Sequence, residues 1–315
     1  MGRVKVFVLY HKRAPMFRSD CFEPLQTGCA NATEALGLLR DDDGENISEK
    51  NDRYAELTGN YWVWKNYLPQ HPEIEYVGFC HYRRFLDFWK RPVCDVMPFG
   101  REMSFARFEK RFASKYTESN ILRAIGGFDI VVPSEFSTRQ FGRSNYVHYL
   151  ECGHPQRDLD RLVEIIARQC PEYMPEVTEY LQGDSGYYCL NYLMRRELFE
   201  SFMRWWFPLV DELVASSDWS GYVRYEESKV PAFLAERFFN VWLRHEGKRR
   251  PLRKLSCDGV VLSDRPEPTW LERWRDFCGL VGLAFAFARD GSIFARLKRR
   301  IGYFIAVRTG KDMGT

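Results

Sequence analysis

Apolar runs separated by polar, turn-forming clusters divide the chain into alternating strand-like and helix-like stretches. Arg3–Tyr10, "RVKVFVLY", is rich in β-branched residues and reads as a buried strand that ends on His11 and Lys12. "LLRDDDGENISEKN" (38–51) is polar, with a turn signal at Asp43-Gly44. A helix is expected over Asp52–Tyr67, capped by Asn51 or Asp52. Leu57, Tyr61, Trp64 and Leu68 recur at helical spacing on one face of it, and Pro69 lies just past its end. Glu75–Cys80 reads as a second buried strand that runs straight into His81, Tyr82, Arg83 and Arg84.

The same pattern continues toward the C-terminus. Phe105–Ile125 is a helical region, Gly126–Pro133 a strand, and Arg157–Gln169 an amphipathic helix. A Gly-Asp-Ser-Gly turn leads into a strand over Tyr187–Met194 and then a long helix. Val230–Gly247 reads as a further helix, entered at Pro231. This order predicts an α/β domain over 1–262, with a mixed central sheet flanked by helices. Residues 263–315 differ. Aromatic and apolar residues alternate there with a basic cluster at Arg296, Lys298, Arg299 and Arg300. They predict a C-terminal helical extension, either capping the protein's own core or lying on an anionic membrane.

Composition narrows the classes. The net charge of +3 gives no bulk argument for nucleic acid, and none is expected as a partner. Nine cysteines without a CxxC pair suit a reducing cytoplasm better than a disulfide scaffold. The apolar stretch at the N-terminus is too short for a signal peptide, and no run is long enough to span a membrane. The expected location is therefore cytoplasmic, with the tail offering a peripheral contact to the inner face of the membrane. There is no Walker A pattern, no GxGxxG, no HExxH and no GxSxG.

Four features carry candidate chemistry. His81, Arg83 and Arg84 sit where a strand meets a loop, the usual place for a ligand in an open α/β sheet. Paired guanidinium groups suit phosphate oxygens, and a core salt bridge is the plainer alternative. Asp41-Asp42-Asp43 satisfies D-x-D, a pattern able to hold a divalent cation; a solvated acidic turn is its alternative. Glu236 lies on a helix with an apolar face, beside Arg237, and is the first candidate for a general base. Asp184, in a glycine-flanked turn, is the second.

Several stretches occur together in a fixed order: "LLRDDDGENISEKNDRYAELTGNYWVWKN", "YVGFCHYRRFL", "GGFDIVVP", "LNYLMRRELFESFMRWWFPLVDEL" and "AERFFNVWL". In this the chain resembles the bacterial capsular and exopolysaccharide synthesis glycosyltransferases long grouped as a domain of unknown function. The resemblance runs from about Val4 to Leu255. It implies a GT-A-like fold that carries a nucleoside-diphosphate sugar donor and a lipid-linked or oligosaccharide acceptor. Some relatives transfer galactofuranose, so a UDP-sugar of that kind is the implied donor. The implied donor-binding residues are His11, Lys12, Asp41, Asp42, Asn46, His81, Arg83 and Arg84. Glu56, Asn51, Asn191 and Arg237 also fall on motif positions, with no role assigned. Trp62 or Trp64 is a candidate for stacking on sugar. No metal is required if the arginines hold the diphosphate. Manganese or magnesium on Asp41 and Asp43 is the alternative. A non-catalytic glycan-binding or scaffold protein is the rival from another class.

Overall fold

The computed structural model describes residues 3–90, 101–138 and 143–263. The basic tail lies outside them, so the structure does not bear on its expected helices or membrane contact. The strands are β1 (Val4–Tyr10), β2 (Phe22–Gln26), β3 (Leu39–Arg40), β4 (Tyr76–His81), β5 (Arg84–Asp87) and β6 (Arg101–Met103). They continue with β7 (Ile130–Val132), β8 (Phe136–Ser137), β9 (Ser185–Gly186), β10 (Tyr192–Arg195), β11 (Lys254–Ser256) and β12 (Asp258–Leu262). The large sheet runs in the order β11-β7-β10-β4-β1-β2-β3, and β5, β6 and β12 extend it beside β4. β1 lies parallel to both β2 and β4, whereas β10 is antiparallel to β4 and β7. The sheet is mixed, as the sequence predicts.

The alternation of side chains along β1 explains why the sheet is covered on both sides. Val4, Val6, Val8 and Tyr10 enter one apolar cluster, and Phe7 and Leu9 enter the other. The first cluster packs against Phe105–Phe112 and Glu118–Ile125. The second packs against Gln156–Gln169, Arg196–Ser216 and Val230–Arg249. A strand buried on both faces is apolar along its buried run, which is why "VFVLY" after Lys5 shows no polar alternation.

Two sequence expectations change. The helix expected over Asp52–Tyr67 is broken. Asn51–Tyr54 forms a first turn, Ala55 departs at φ 46°, and Leu57–Trp62 continues. Val63–Tyr67 then widens to a π-helix. The strand expected over Tyr187–Met194 is regular only as β10, because Cys189 and Leu190 both adopt positive φ. A non-glycine residue in that region costs local free energy, and such residues recur at ligand sites. Ala55 and Cys189 both border the main cavity.

Gly78 at the middle of β4 has no room for a side chain: a Cβ there would lie 2.7 Å from the Tyr192 carbonyl oxygen on β10. Gly78→Ala is expected to destabilise the fold by about 1–3 kcal/mol, read from the urea midpoint. An unchanged midpoint would contradict the β4–β10 register.

Candidate active site

Three neighbouring parallel strands deliver the chain to one cavity. β1 ends at Tyr10-His11, β2 runs into Thr27, and β4 ends on His81, with Leu9 and His81 in register. The cavity has a volume of about 820 Å³, on the scale of small-molecule sites. The Val230–Arg249 helix forms the facing wall. Lys229, Ala232, Phe233, Glu236 and Arg237 recur on its cavity face at helical spacing.

The Asp41 carboxylate, fully buried, fixes one side of this site. It accepts hydrogen bonds from the Gly28 and Cys29 amides at 2.8 and 3.0 Å. It also accepts from the hydroxyls of Ser48 and Thr58, both at 2.6 Å. Thr58 in turn accepts from the Asn51 side-chain amide at 3.0 Å, and that amide also donates to the Ala55 carbonyl at 2.6 Å. Ala55 is thereby held in its strained conformation, and the next residue, Glu56, reaches the cavity wall. Gly28 is required beside this network, since its φ is +69° and a Cβ would meet Asn51 at 2.5 Å.

Asp41 is therefore a structural hub, with its oxygens already occupied, and does not border the cavity. Its acidic neighbours are engaged as well. Asp42 pairs with Arg40 at 2.5 Å, and Asp43 accepts from the Trp62 indole. Asn46 closes the turn, donating to the Gly44 carbonyl at 3.1 Å and accepting from the Ser48 amide at 3.1 Å. Asp41, Asp42 and Asn46 are thus engaged by neighbouring groups and are not among the residues that line this cavity. Trp62 is occupied by Asp43, and Trp64 stacks on Phe207 at 6.0 Å, so neither ring faces the cavity.

The other candidates divide. His11, His81, Arg83, Arg84 and Glu236 all border the cavity, whereas Lys12 and Asp184 do not. The Asp184 carbonyl accepts from the Thr138 amide at 2.7 Å and from its hydroxyl at 3.1 Å, which ties that turn to β8. Glu56, Lys229, His148, His154 and Tyr188 line it as well. Of these, Lys229 was readable in principle, because it lies seven positions before Glu236 on one helix face. His148 and His154 carried no signal of their own.

The electrostatics follow from burial. Glu236 has a side chain only 16% exposed. Its proton affinity is raised by that burial and then by the charge of Glu56, against Arg237, His81 and Arg84. Burial raises Glu56 too, against Lys229 and Arg84. Burial lowers Lys229, whose ammonium donates to the Asn51 and Asp52 carbonyls at 3.4 and 3.3 Å. His81 is pushed down to about 4, first by burial and then by Arg84. It is thus neutral, and its Nε2 donates to the Cys189 carbonyl at 2.7 Å, which leaves Nδ1 as the acceptor. The Tyr187–Cys189 loop is anchored from the helix by Asn240. Its side chain accepts from the Tyr187 amide at 2.6 Å and donates to the Tyr187 carbonyl at 2.9 Å.

Two predictions follow from these contacts. Asp41→Ala strands buried donors and is expected to cost about 3 kcal/mol in chemical unfolding. Ligand affinity should fall with it, as Glu56 loses its support. Second, a histidine held below its ordinary value cannot take up the proton that the unfolded chain accepts. Stability is then lost as pH falls from about 6.5 toward about 4. His81→Asn should make the unfolding midpoint less acid-sensitive over that window. Equal acid sensitivity would contradict a buried neutral His81.

The comparisons agree with this architecture. A solved structure named as the apo form of the bifunctional glycosyltransferase WbbM matches with a TM-score of 0.74 and 30% sequence identity, over 85% of this chain and 47% of that one. The chain thus spans about half the length of the protein it matches, and shares with it the glycosyltransferase fold. No curated protein matches. The family model described as "Domain of unknown function (DUF4422)" matches residues 5–248, nearly the span of the resemblance read from the sequence, and the chain belongs to that family.

Proposed function

We propose that the chain is a glycosyltransferase that moves a hexosyl unit from a nucleoside-diphosphate sugar to a growing capsular, exopolysaccharide or O-antigen glycan. Galactofuranose is the first donor sugar to test. The observation that carries this reading is the meeting, in one cavity, of Arg83, Arg84 and Lys229 with the buried carboxyls of Glu56 and Glu236. Cations at the ends of parallel strands suit a diphosphate, and a raised carboxyl facing them suits proton removal from a sugar hydroxyl.

In this mechanism the donor's diphosphate lies on Arg83 and Arg84, with Lys229 at its edge. The Glu236 carboxylate takes the proton of the acceptor hydroxyl. The hydroxyl oxygen bonds to the anomeric carbon as the bond from that carbon to the phosphate oxygen breaks. The nucleoside diphosphate leaves with the electron pair, and the guanidinium groups offset its charge. Neutral His81 braces the Cys189 loop against the same wall. Its Nδ1 is free of a proton that would add to the positive charge there. Inversion at the anomeric carbon follows from this single displacement.

Activity is measured as release of nucleoside diphosphate from UDP-galactofuranose and other UDP-sugars, with and without glycan acceptor. Glu236→Gln is expected to lower kcat by about 10²–10⁴-fold with donor affinity retained. Arg83→Ala and Arg84→Ala should weaken donor binding. Activity should survive chelation of divalent cations. Activity lost on chelation and restored by manganese would contradict the arginine clamp. Failure of every sugar nucleotide to bind would favour a glycan-binding or scaffold role.

A further inference from the structure

The cavity also holds a further cation, Arg237, where the Val230–Arg249 helix meets Tyr149 and Tyr188. We propose that this part of the cavity, built on Arg237, is the acceptor subsite, and that it takes an acceptor bearing a negative charge, carboxylate or phosphate, near the reacting hydroxyl. The proposal rests on the transferase reading for the word acceptor. The anion preference rests on the site itself.

Arg237 packs on rings other than those at the strand ends: it lies over Tyr149 and Tyr188, whereas Arg83 lies over Tyr82 just past β4. For both His148 and His154, Arg237 is the first charge that acts on them. Both histidines are held low by burial and then by Arg237, so neither adds charge to this part of the cavity near neutral pH.

Arg237 is only 3% exposed, yet it is weakly paired. Its Nη1 donates to the Phe233 carbonyl at 3.0 Å, and its Nε has no partner among the described residues. The one carboxylate near it there is Glu236, with Oε2 at 4.0 Å. The guanidinium lies over the rings of Tyr149 and Tyr188, at 5.0 and 5.7 Å from their centres. His148 Nδ1 is also buried without a hydrogen-bond partner among the described residues. Arg101 shows how the same protein treats a buried arginine elsewhere: it pairs with Asp87 at 2.8 Å. A buried guanidinium without a close counter-ion is costly unless something supplies the anion.

The reaction sharpens that need. When Glu236 takes the acceptor's proton it becomes neutral, and Arg237 loses the only carboxylate near it among the described residues. An acceptor carboxylate or phosphate would keep the guanidinium paired through the transfer, by the fork geometry that suits both groups.

The test is equilibrium binding of three probes to the full chain saturated with UDP: methyl β-D-glucuronide, methyl β-D-glucoside 6-phosphate and neutral methyl β-D-glucoside. At least one anionic probe is expected to bind tenfold or more tightly than the neutral one. The carboxylate and phosphate arms identify which anion the site takes. Arg237→Met should reduce that preference to within twofold, while UDP affinity shows that the variant is folded. Equal binding of all three probes by the unmodified protein would overturn the proposal, and this comparison needs no variant. A preference that persists in Arg237→Met would overturn it too. If UDP fails to bind, the transferase reading falls, and the same three probes, added without UDP, still decide the subsite.

Discussion

The buried carboxylate of Asp41 is the contact on which the donor side of the cavity depends. Four donors from three separate segments converge on it: the Gly28–Cys29 turn, Ser48 and Thr58. An unpaired carboxylate there would be expensive, so the segments are compelled to meet. Through Thr58 and Asn51 the network also fixes the Ala55 carbonyl and holds a conformation that alanine does not favour. Glu56 reaches the cavity because the helix is interrupted just before it, at Ala55. A straight helix over 52–67 would have carried it elsewhere.

The facing wall obeys a different constraint. The Val230–Arg249 helix is buried along most of its length, so its polar residues must be satisfied or put to use. Asn240 is satisfied by the Tyr187 backbone. Glu236 and Arg237 are only partly so. Burial raises the proton affinity of Glu56 and Glu236 and lowers that of Lys229 and the histidines, a perturbation of the kind that gathers at ligand sites.

Much of the fold was legible in the sequence, because apolar strands buried on both faces leave continuous runs such as "VFVLY" and "YVGFC". The strand-ending His81, Arg83 and Arg84 were legible for the same reason: polar residues after such a run must face an edge. The acidic stretch was legible only as a choice between a cation site and a solvated turn. Asp41, Asp42 and Asp43 look alike in sequence. Only tertiary contacts separate a buried hub from a surface ion pair and an indole acceptor. The break at Ala55 was hidden because alanine is the best helix former, and it is long-range hydrogen bonding that overrides it. The surroundings of Arg237 were hidden because tertiary packing brings in His148 on Asn145–Glu151 and His154 from the loop that follows it.

The central claim is that one cavity, walled by strand ends and by a single helix, receives the donor. The most direct measurement is a crystal structure of the protein with UDP bound. The account predicts the diphosphate within hydrogen-bonding distance of Arg83 and Arg84, with its β-phosphate toward Glu236 and the Asp41 network unchanged. A diphosphate seated on the Asp41–Asn46 turn, with Asp41 released from Thr58 and Ser48, would contradict it.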